Sequence, residues 1–338
     1  MLHQHYFFYL NVSFSKLNGR LFFSKKNAAT IFPVTFALDL LFNLSSIFNS
    51  MKRRTFLQST AGLGALALLQ LHAEANPKAK AVGLQLYTLR GDIQKQGIEK
   101  ILLEVAKLGY KKVENFGYSQ GKFFGKTPAE YSKLLKDNGL SAVSGHYMTA
   151  RTPGMTDGLT KNWEKVVEDA AAVGNKYVVL AYLMDNERKA EDYNQLFDLL
   201  NKSSDTALKA GLTLGYHNHD FEFTQKVDGQ KPYDLLLKNT NVIMEVDLYW
   251  LVKAGEDASA YFTKYPNRFP LWHVKDMAKT PEKEFAEVGV GSIDFGAIFK
   301  DASVAGLKHY FVEQDVCKRP PLESIKISID NIQNAKWG

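Results

Sequence analysis

Apolar runs of strand length alternate along the chain with longer segments in which apolar residues recur at helical spacing. Eight runs are predicted as strands: residues 81–87, 112–116, 140–146, 176–181, 212–217, 242–247, 269–274 and 309–313. The segments that follow them are predicted as helices: residues 97–108, 127–138, 163–173, 189–210, 233–238, 258–265, 298–305 and 322–335.

Strands that alternate with helices favour a parallel α/β sheet. Residues 78–338 have about the length of one (β/α)8 TIM barrel, which needs roughly 250 residues, so we predict a single barrel domain there. The alternative is an open doubly wound sheet, which usually carries a glycine-rich phosphate-binding loop after its first strand. Here the first strand ends in Tyr87-Thr88-Leu89-Arg90, which is not such a loop.

Residues 51–75 have the pattern of an export signal. Basic residues at 52–54 precede an apolar run at 61–71, and Ala73-Glu74-Ala75 resembles a cleavage site. The paired Arg53 and Arg54 are typical of a twin-arginine signal, so we expect a periplasmic protein. A short membrane anchor is the alternative, although the apolar run is shorter than the roughly 20 residues that cross a bilayer.

Residues 1–50 precede this complete signal and are rich in Phe, Leu, Asn and Ser, with no clear period. We interpret them as an upstream extension from a start codon placed too early. A second membrane segment at 31–48 is the competing interpretation, which Asp39 and Asn43 weaken. After cleavage of the signal we expect no stable membrane insertion.

The basic charge of the chain belongs mostly to its first 75 residues. These hold seven of the 42 Lys and Arg residues and two of the 36 Asp and Glu residues, which leaves 35 basic and 34 acidic residues and a net charge of +1. No broad basic field remains for a nucleic acid, so a small, weakly charged molecule is the expected partner. Cys317 is the single cysteine, which excludes an internal disulfide. Assembly into a homo-oligomer stays open.

Polar residues end four successive predicted strands, at 216–219, 245–247, 273–276 and 313–315. In a parallel βα barrel these strand ends meet at one rim, where their side chains can converge on a single ion. Two imidazoles and two carboxylates suit a divalent cation of the Mn, Fe, Co or Zn type. The predicted metal ligands are His217, Asp247, His273 and Glu313.

Alternation along a strand assigns different depths to these side chains. Glu245 and Asp247 share one side of their strand, and Asp247 is nearer the rim, so Glu245 is expected to lie deeper. Two carboxylates inside a barrel are costly unless a cation compensates them. His217 and His219 also share a side, so one could bind the metal while the other contacts the substrate. Glu313 is predicted to serve as ligand and proton acceptor together.

Further candidates act on the substrate. Lys275 shares the side of His273 and could polarise a carbonyl or steady a sugar hydroxylate, whereas a surface lysine is the alternative. For Trp250, packing of the rim is the alternative to substrate binding. The predicted substrate contacts are Glu114, His146, His219 and Trp250, with Gln85 and Tyr87 as further candidates.

Four motifs occur in order: Asp247 followed by two aromatic residues, the run His273-Val274-Lys275-Asp276, the run Gly-Val-Gly-Ser-Ile-Asp-Phe at 289–295, and Glu313. Through them the whole chain beyond the signal resembles the xylose isomerase-like TIM-barrel superfamily. This group includes sugar isomerases and epimerases, inosose dehydratases and apurinic endonucleases. The motifs are specific for the superfamily as a set, and none of them specifies one substrate.

The resemblance implies one divalent metal ion, with Mn, Co, Fe, Zn and Mg as candidates. In the epimerase branch, Glu, Asp, His and Glu of strands five to eight hold the ion, and Asp247, His273 and Glu313 match the last three. The first position carries His217, as in the histidine-rich fifth strand of inosose dehydratases. The endonuclease branch needs additional zinc ligands where this chain has Trp250 and the run Lys-Glu-Phe at 283–285, so the resemblance does not favour DNA repair.

Together these features predict a metal-dependent sugar isomerase or epimerase that moves a proton through an enediolate beside a metal-bound carbonyl. Glu313, His217 and Lys275 are the expected catalytic residues, and a sugar or keto-sugar is the expected substrate. A dehydratase or a keto-glycoside-eliminating lyase on the same metal site is the first alternative. A non-catalytic periplasmic sugar-binding barrel is the second.

Overall fold

The computed structural model describes residues 81–335, together with the short antiparallel strand pair Ser15–Leu17 and Arg20–Phe22. That pair belongs to a unit, residues 1–70, that is separate from the unit of residues 71–338. The predicted signal at 51–75 and most of the predicted extension at 1–50 lie outside the described residues, so both stay predictions.

Eight parallel strands close into a barrel in which each strand pairs with the next along the chain and the last pairs with the first. The strands are β1 (Gly83–Gln85), β2 (Lys112–Asn115), β3 (Ser141–Tyr147), β4 (Tyr177–Leu180), β5 (Thr213–His217), β6 (Ile243–Asp247), β7 (Leu271–Val274) and β8 (His309–Val312). Each lies within its predicted run, apart from Tyr147, which extends β3 by one residue. The predicted single TIM barrel is confirmed, and the open sheet is excluded.

Helices surround the barrel. They are α1 (Arg90–Gln96), α2 (Ile98–Lys107), α3 (Pro128–Asp137), α4 (Trp163–Val173), α5 (Asp192–Lys209), α6 (Phe221–Thr224), α7 (Pro232–Asn239), α8 (Leu248–Lys253), α9 (Ala258–Lys264), α10 (Phe295–Ile298), α11 (Ala302–Ala305) and α12 (Pro321–Asn334). In the described part of the chain, no helix has the length and apolar character to cross a membrane.

The helical predictions are correct in position but incomplete. The sequence pattern does not predict α1, α6 and α8, and the predicted helix at 298–305 is divided by a 3-10 turn at Phe299–Asp301. Helix α8 starts directly at the end of β6, because the Asp247 carboxylate accepts a hydrogen bond from the Trp250 backbone N–H at 3.0 Å. One carboxylate therefore ends a strand and caps a helix.

Helix α3 shows how local sequence fixes a boundary. Thr127 Oγ1 accepts a hydrogen bond from the Glu130 N–H, and the Glu130 carboxylate accepts one from the Thr127 N–H. Pro128 occupies the first turn, where its missing N–H costs nothing. Gly139 follows the helix with φ +66°, a conformation that glycine adopts without strain.

The interior of the barrel changes from apolar to charged along the strand direction. Val143, Val179, Leu271 and Phe311 form a buried apolar cluster. Side chains two residues apart lie on one side of a strand, so His273 and Lys275 follow Leu271 toward the carboxyl end of β7. The charged side chains at the rim therefore lie directly above a buried apolar layer of the barrel interior.

Candidate active site

The ends of β5 to β8 bring the four predicted metal ligands together. His217, Asp247, His273 and Glu313 are all buried, and each offers one ligand atom such that these atoms lie within 4.8 Å of one another. The register explains this, because Asp247 lies beside His273 on neighbouring strands. Histidine nitrogens and carboxylate oxygens are the ligands that divalent transition ions take in proteins.

His273 presents its two ring nitrogens to two different carboxylates. Its Nδ1 lies 2.7 Å from Glu313 Oε2, and its Nε2 lies 2.6 Å from Glu114 Oε2. Burial disfavours a charge on the ring, but the carboxylates of Glu245, Glu313 and Glu114 outweigh it and raise the pKa of His273 well above its ordinary value. The ring therefore holds a proton that a metal ion must displace.

His217 has the same two-sided arrangement. Its Nε2 lies 3.6 Å from Asp247 Oδ2 near the rim, and its Nδ1 lies 3.1 Å from Glu245 Oε2 below. Metal-binding histidines commonly donate their other ring N–H to a carboxylate, which fixes the tautomer and the orientation of the ring. Glu245 below His217 and Glu114 below His273 fill that supporting role, and Glu245 lies deeper than Asp247, as parity predicts.

A second set of potential ligands overlaps the first. His146, His217, Glu245 and His273 also offer atoms within 4.8 Å of one another. Both sets reach the large cavity at the rim, the predicted set through His217 and Glu313 and the second set through His146 and His217. An ion at the predicted set would thus be reachable by a substrate.

Three of the four predicted ligands are in charge states that suit a cation, whereas His273 must first lose its proton. Burial raises the pKa of the Asp247 carboxyl to about 6, against the effect of Lys275, so the group is ionised at pH 7. Burial also opposes ionisation of Glu313, but Lys275 and His273 outweigh it and hold the pKa of that carboxyl well below its ordinary value. Burial, aided by His273, lowers the pKa of His217 to about 3, which keeps the ring neutral. Neutral imidazoles and ionised carboxylates are the forms that bind metal.

One buried oxygen gives a direct test of fit. Asp247 Oδ2 makes no hydrogen bond of good geometry within the described residues, although Lys275 Nζ lies 2.9 Å away as an ion-pair partner. A buried, incompletely compensated carboxylate oxygen is costly. The donor set and this oxygen therefore fit one divalent ion.

Lys275 is fully buried at the centre of the charged rim, which excludes the surface-lysine alternative. Its Nζ lies 2.7 Å from Glu313 Oε2 and 2.9 Å from both Asp247 Oδ2 and Asp315 Oδ2. Burial disfavours the ammonium, but these carboxylates outweigh it and raise the pKa of Lys275 well above its ordinary value. The side chain lines the cavity, so a cationic hydrogen-bond donor faces the substrate space.

The residue after this lysine explains the glycine motif. The buried Asp276 carboxylate accepts hydrogen bonds from the N–H groups of Gly289 and Gly291 at 2.9 Å and of Ile293 at 3.1 Å. A Cβ on Gly291 would lie 2.2 Å from Asp276 Oδ1, so no larger residue fits without a shift. The loop at 289–293 therefore surrounds the carboxylate of Asp276, and these hydrogen bonds hold the backbone next to Lys275 in place.

The predicted substrate contacts divide into two groups. His146 and His219 line the cavity, and the His146 Nε2 lies 2.6 Å from Glu245 Oε2. Glu114 does not line it, because the carboxylate is buried below the ligands and hydrogen-bonded to Gln85, Ser144 and His273. Trp250 does not line it either, and its ring lies 5.6 Å from the ring of His219. Rim packing, the alternative raised for Trp250, describes its position.

The cavity has a volume of about 640 Å³ and extends well beyond the predicted ligands. Several of its lining residues are not predicted from the sequence: Arg90, Phe116, Tyr118, Tyr147, Met148, Met155, Tyr182 and Val316. Most follow the ends of β1 to β4. The signal available for most of them is their position at or just after the end of a predicted strand, and Tyr87, a further candidate, is the last residue of the first predicted strand.

Comparison with known proteins agrees with this architecture. A profile of the xylose isomerase-like TIM barrel family matches residues 102–334. An inosose dehydratase from Clostridium perfringens is 33% identical over 155 residues, which cover 39% of this chain and 51% of that protein. The chain thus spans about half the length of that curated relative.

Solved structures share the fold as well, and two of them illustrate it. A sugar phosphate isomerase/epimerase from Parabacteroides distasonis has a TM-score of 0.65 and 30% identity, over 78% of this chain and 96% of that chain. The IOLI protein, whose crystal structure holds a zinc atom, has a TM-score of 0.59 and 14% identity, over 77% of this chain and 99% of that chain. At that identity the second likeness concerns the fold alone. Because the family profile covers more than half of the sequence and the closed barrel agrees with it, this chain belongs to the xylose isomerase-like TIM barrel family.

Proposed function

We propose that this protein is a metal-dependent isomerase or epimerase that removes and returns a proton on the carbon next to the carbonyl group of a sugar or keto-sugar. The observation that supports this most is the convergence of ligand atoms from His217, Asp247, His273 and Glu313 within 4.8 Å of one another beside a cavity. These residues would hold one divalent ion, and such an ion acts as a Lewis acid that polarises a carbonyl.

Glu313 is the proposed proton acceptor. Its carboxylate lines the cavity and has Lys275 Nζ and His273 Nδ1 2.7 Å from Oε2. The carboxylate takes the proton from the α-carbon, and the substrate becomes an enediolate. Lys275 donates a hydrogen bond to the substrate oxygen that gains negative charge in this step. Return of the proton to the neighbouring carbon, with a proton moved between the two substrate oxygens, gives an isomer, and a proton delivered by water to the opposite face gives an epimer.

Elimination is the second candidate, favoured by the imidazole of His217 where the epimerase pattern has a second carboxylate and by the partial similarity to inosose dehydratases. The α-proton again moves to Glu313, the electron pair forms a C=C bond, and the C–O bond on the next carbon breaks. The departing oxygen takes a proton and leaves as water or as an alcohol. For a glycosidic oxygen to leave in this way, the carbonyl must lie two carbons from the anomeric carbon.

Hydrogen exchange tests both candidates. The protein, loaded in turn with Mn, Co or Zn, is incubated in deuterated water with free ketohexoses and with 3-keto-glucosides, and the sugars are followed by NMR. We expect deuterium at the α-carbon, and release of the aglycone if elimination occurs. Glu313→Gln should abolish exchange, whereas the exposed Glu168→Gln should not change it.

The same experiment can reject the proposal. Absence of exchange with every sugar and every metal would contradict an α-proton mechanism. Sugar binding that persists without metal and without exchange would instead identify a binding barrel.

We also propose that the protein is exported to the periplasm, on the basis of residues 51–75 alone. Replacement of Arg53 and Arg54 by lysines should retain the full-length chain in the cytoplasm, because a twin-arginine signal depends on both arginines. Immunoblots of fractionated cells measure this. Unchanged delivery of the double variant to the periplasm would contradict a twin-arginine route.

A further inference from the structure

The cavity wall formed by residues that follow β1 to β4 differs in its side-chain chemistry from the side that carries the predicted metal ligands. It includes the aromatic or sulfur-containing side chains of Tyr87, Phe116, Tyr118, Met148 and Met155, together with polar residues such as Ser119, Thr156 and Asp157. In the described residues, none of the four predicted ligands comes from these strands. This aromatic wall is therefore a separate surface of the same cavity.

The aromatic wall is held in place by its own contacts. The rings of Tyr87 and Phe116 meet edge to face with centroids 5.4 Å apart, and Phe116 meets Phe124 in the same manner at 5.1 Å. The Tyr118 hydroxyl donates a hydrogen bond to Asp169 Oδ2 at 2.7 Å. A wall with fixed rings offers apolar area to a ligand at a low cost in conformational entropy.

Apolar surface at the cavity mouth is left exposed to solvent. Tyr87 is 40% exposed and Val316 is 62% exposed, and both line the cavity. They are two of only six large hydrophobic side chains that are exposed in the described part of the chain. Exposed apolar side chains grouped at a concave site mark a ligand surface, whereas scattered ones do not.

The volume of the cavity exceeds the need of one sugar ring. At about 640 Å³ it lies within the roughly 300–1,000 Å³ that is typical of drug-sized ligands, which are larger than a monosaccharide. A ring bound at Lys275 and Glu313 leaves the aromatic wall free. Arg90 lies at the edge of that wall, with its guanidinium 4.3 Å from the ring centroid of Tyr87 and hydrogen-bonded to the carbonyl of Asp315.

We propose that the aromatic wall is a subsite for a second ring, so that the substrate is a keto-sugar joined through its glycosidic oxygen to a ring with an apolar face. That face packs on Tyr87 and Phe116, while the keto-sugar lies at Lys275 and Glu313. The inference rests on the proposed function, because it assumes that the first ring is bound at the predicted metal ligands. An aryl group and a second sugar share this chemistry, since both present an apolar face.

Binding measurements test the subsite directly. The methyl, phenyl and glucosyl 3-keto-β-glucosides are titrated by calorimetry into full-length protein that carries Glu313→Gln to prevent turnover. We expect the phenyl or glucosyl compound to bind at least tenfold more tightly than the methyl compound. A gain for the phenyl compound alone identifies an aryl group, and a gain for the glucosyl compound identifies a second sugar.

Variants of the wall complete the test. Tyr87→Ala and Phe116→Ala, each in the Glu313→Gln background, should remove most of the gain and leave the affinity for the methyl compound within twofold. Tyr87→Phe should keep the gain because it keeps the ring, and Phe116→Leu serves if Phe116→Ala does not fold. Val304→Ala, at an exposed apolar residue outside the cavity lining, is the control for general effects.

The subsite is overturned if the three compounds bind equally well, or if the wall variants weaken all three equally. Failure of the proposed function has a different signature, since the methyl compound would then show no α-hydrogen exchange with the wild-type protein. Exchange of the methyl compound without any gain from a second ring would reject the subsite and leave the proposed function standing.

Discussion

The two halves of the barrel mouth are built from the same strand–helix unit and yet carry opposite chemistry. Strands β5 to β8 end in the buried ionisable residues His217, Asp247, His273 and Glu313, whose ligand atoms lie within 4.8 Å of one another. Strands β1 to β4 lead into the side chains of the aromatic wall, with polar residues such as Arg90 and Asp157 beside them. The difference suggests a division of work, with proton transfer on one half and recognition of substrate shape on the other.

Asp247→Asn should have the largest effect on metal binding and turnover, because Asp247 is both a predicted metal ligand and an ion-pair partner of Lys275. It removes an anionic ligand and leaves Lys275 with fewer carboxylates. We expect loss of metal affinity beyond the roughly 10- to 100-fold that loss of a supporting partner costs, with loss of turnover. Metal content after gel filtration measures this, with the exposed Asp198→Asn as control. Full metal content in Asp247→Asn would contradict the predicted ligand set.

Lys275→Met sharpens the comparison by separating charge stabilisation from metal binding. The variant keeps the four predicted ligands but loses the donor to the substrate oxygen, so we expect kcat to fall by roughly 100- to 1,000-fold. Metal content should stay unchanged, and the exposed Lys279→Met should behave as the wild type. Steady-state kinetics and metal analysis are measured together. A variant that loses its metal as well would assign Lys275 a structural role.

Glu114→Gln tests whether the aromatic half also supports the charged half. Glu114 lies in β2, and its Oε2 lies 2.6 Å from His273 Nε2. Loss of this anionic acceptor should weaken metal affinity by roughly 10- to 100-fold, because the ring of His273 is then oriented less firmly. Competition with a metal chelator measures the change. An unchanged affinity would show that the two halves are independent.

Gly291→Ala should have a moderate effect on stability rather than on chemistry alone. The new Cβ would meet Asp276 Oδ1 and the Met277 carbonyl, so we expect a loss of about 1–3 kcal/mol in the free energy of unfolding. A methyl group on Gly91 in α1 would meet no heavy atom within 4 Å, so Gly91→Ala is the matched control and should be neutral or slightly stabilising. Chemical denaturation compares the two. Equal stability of both variants would contradict the tight fit around Asp276.

Glu222→Gln should have the smallest effect, visible only in the dependence of stability on pH. Burial raises the pKa of the Glu222 carboxyl to about 8, although hydrogen bonds from the Tyr216 hydroxyl and the His219 N–H oppose the rise. A carboxyl with a raised folded-state pKa stabilises the fold when protonated, so its contribution declines as pH rises from about 4.5 to 8. The variant should lack that decline in melting temperature, and Glu168→Gln should keep it.

The charged half is readable from the sequence because ionisable residues at the ends of apolar strands have few structural explanations. Most of the aromatic half is not: the sequence indicates Tyr87 as a candidate, but Phe116 and Tyr118 resemble ordinary core residues until the fold shows which side they occupy. The sequence also does not show how deep in the barrel a side chain lies. The register of β2 shifts at Val113/Glu114, so alternation alone does not show that Glu114 lies below the ligands.

The burial of Lys275 depends on tertiary structure. An isolated lysine after a strand is ordinarily solvated, and only the meeting of Asp247, Glu313 and Asp315 around it makes the buried position stable. The start of α8 is likewise not predicted from the sequence. The carboxylate that caps this helix belongs to Asp247, which the sequence assigns as a metal ligand.

The turn wrapped around Asp276 has a consequence for protein engineering. Residues 276–277 pair with residues 285–286, and the segment between them contributes none of the four N–H groups that hold the carboxylate. Residues 278–284 do not line the cavity, so grafts or deletions there should leave both the cavity lining and the hydrogen bonds of the Asp276 carboxylate in place. The hairpin is thus a place where foreign sequence could be inserted without moving the ammonium of Lys275.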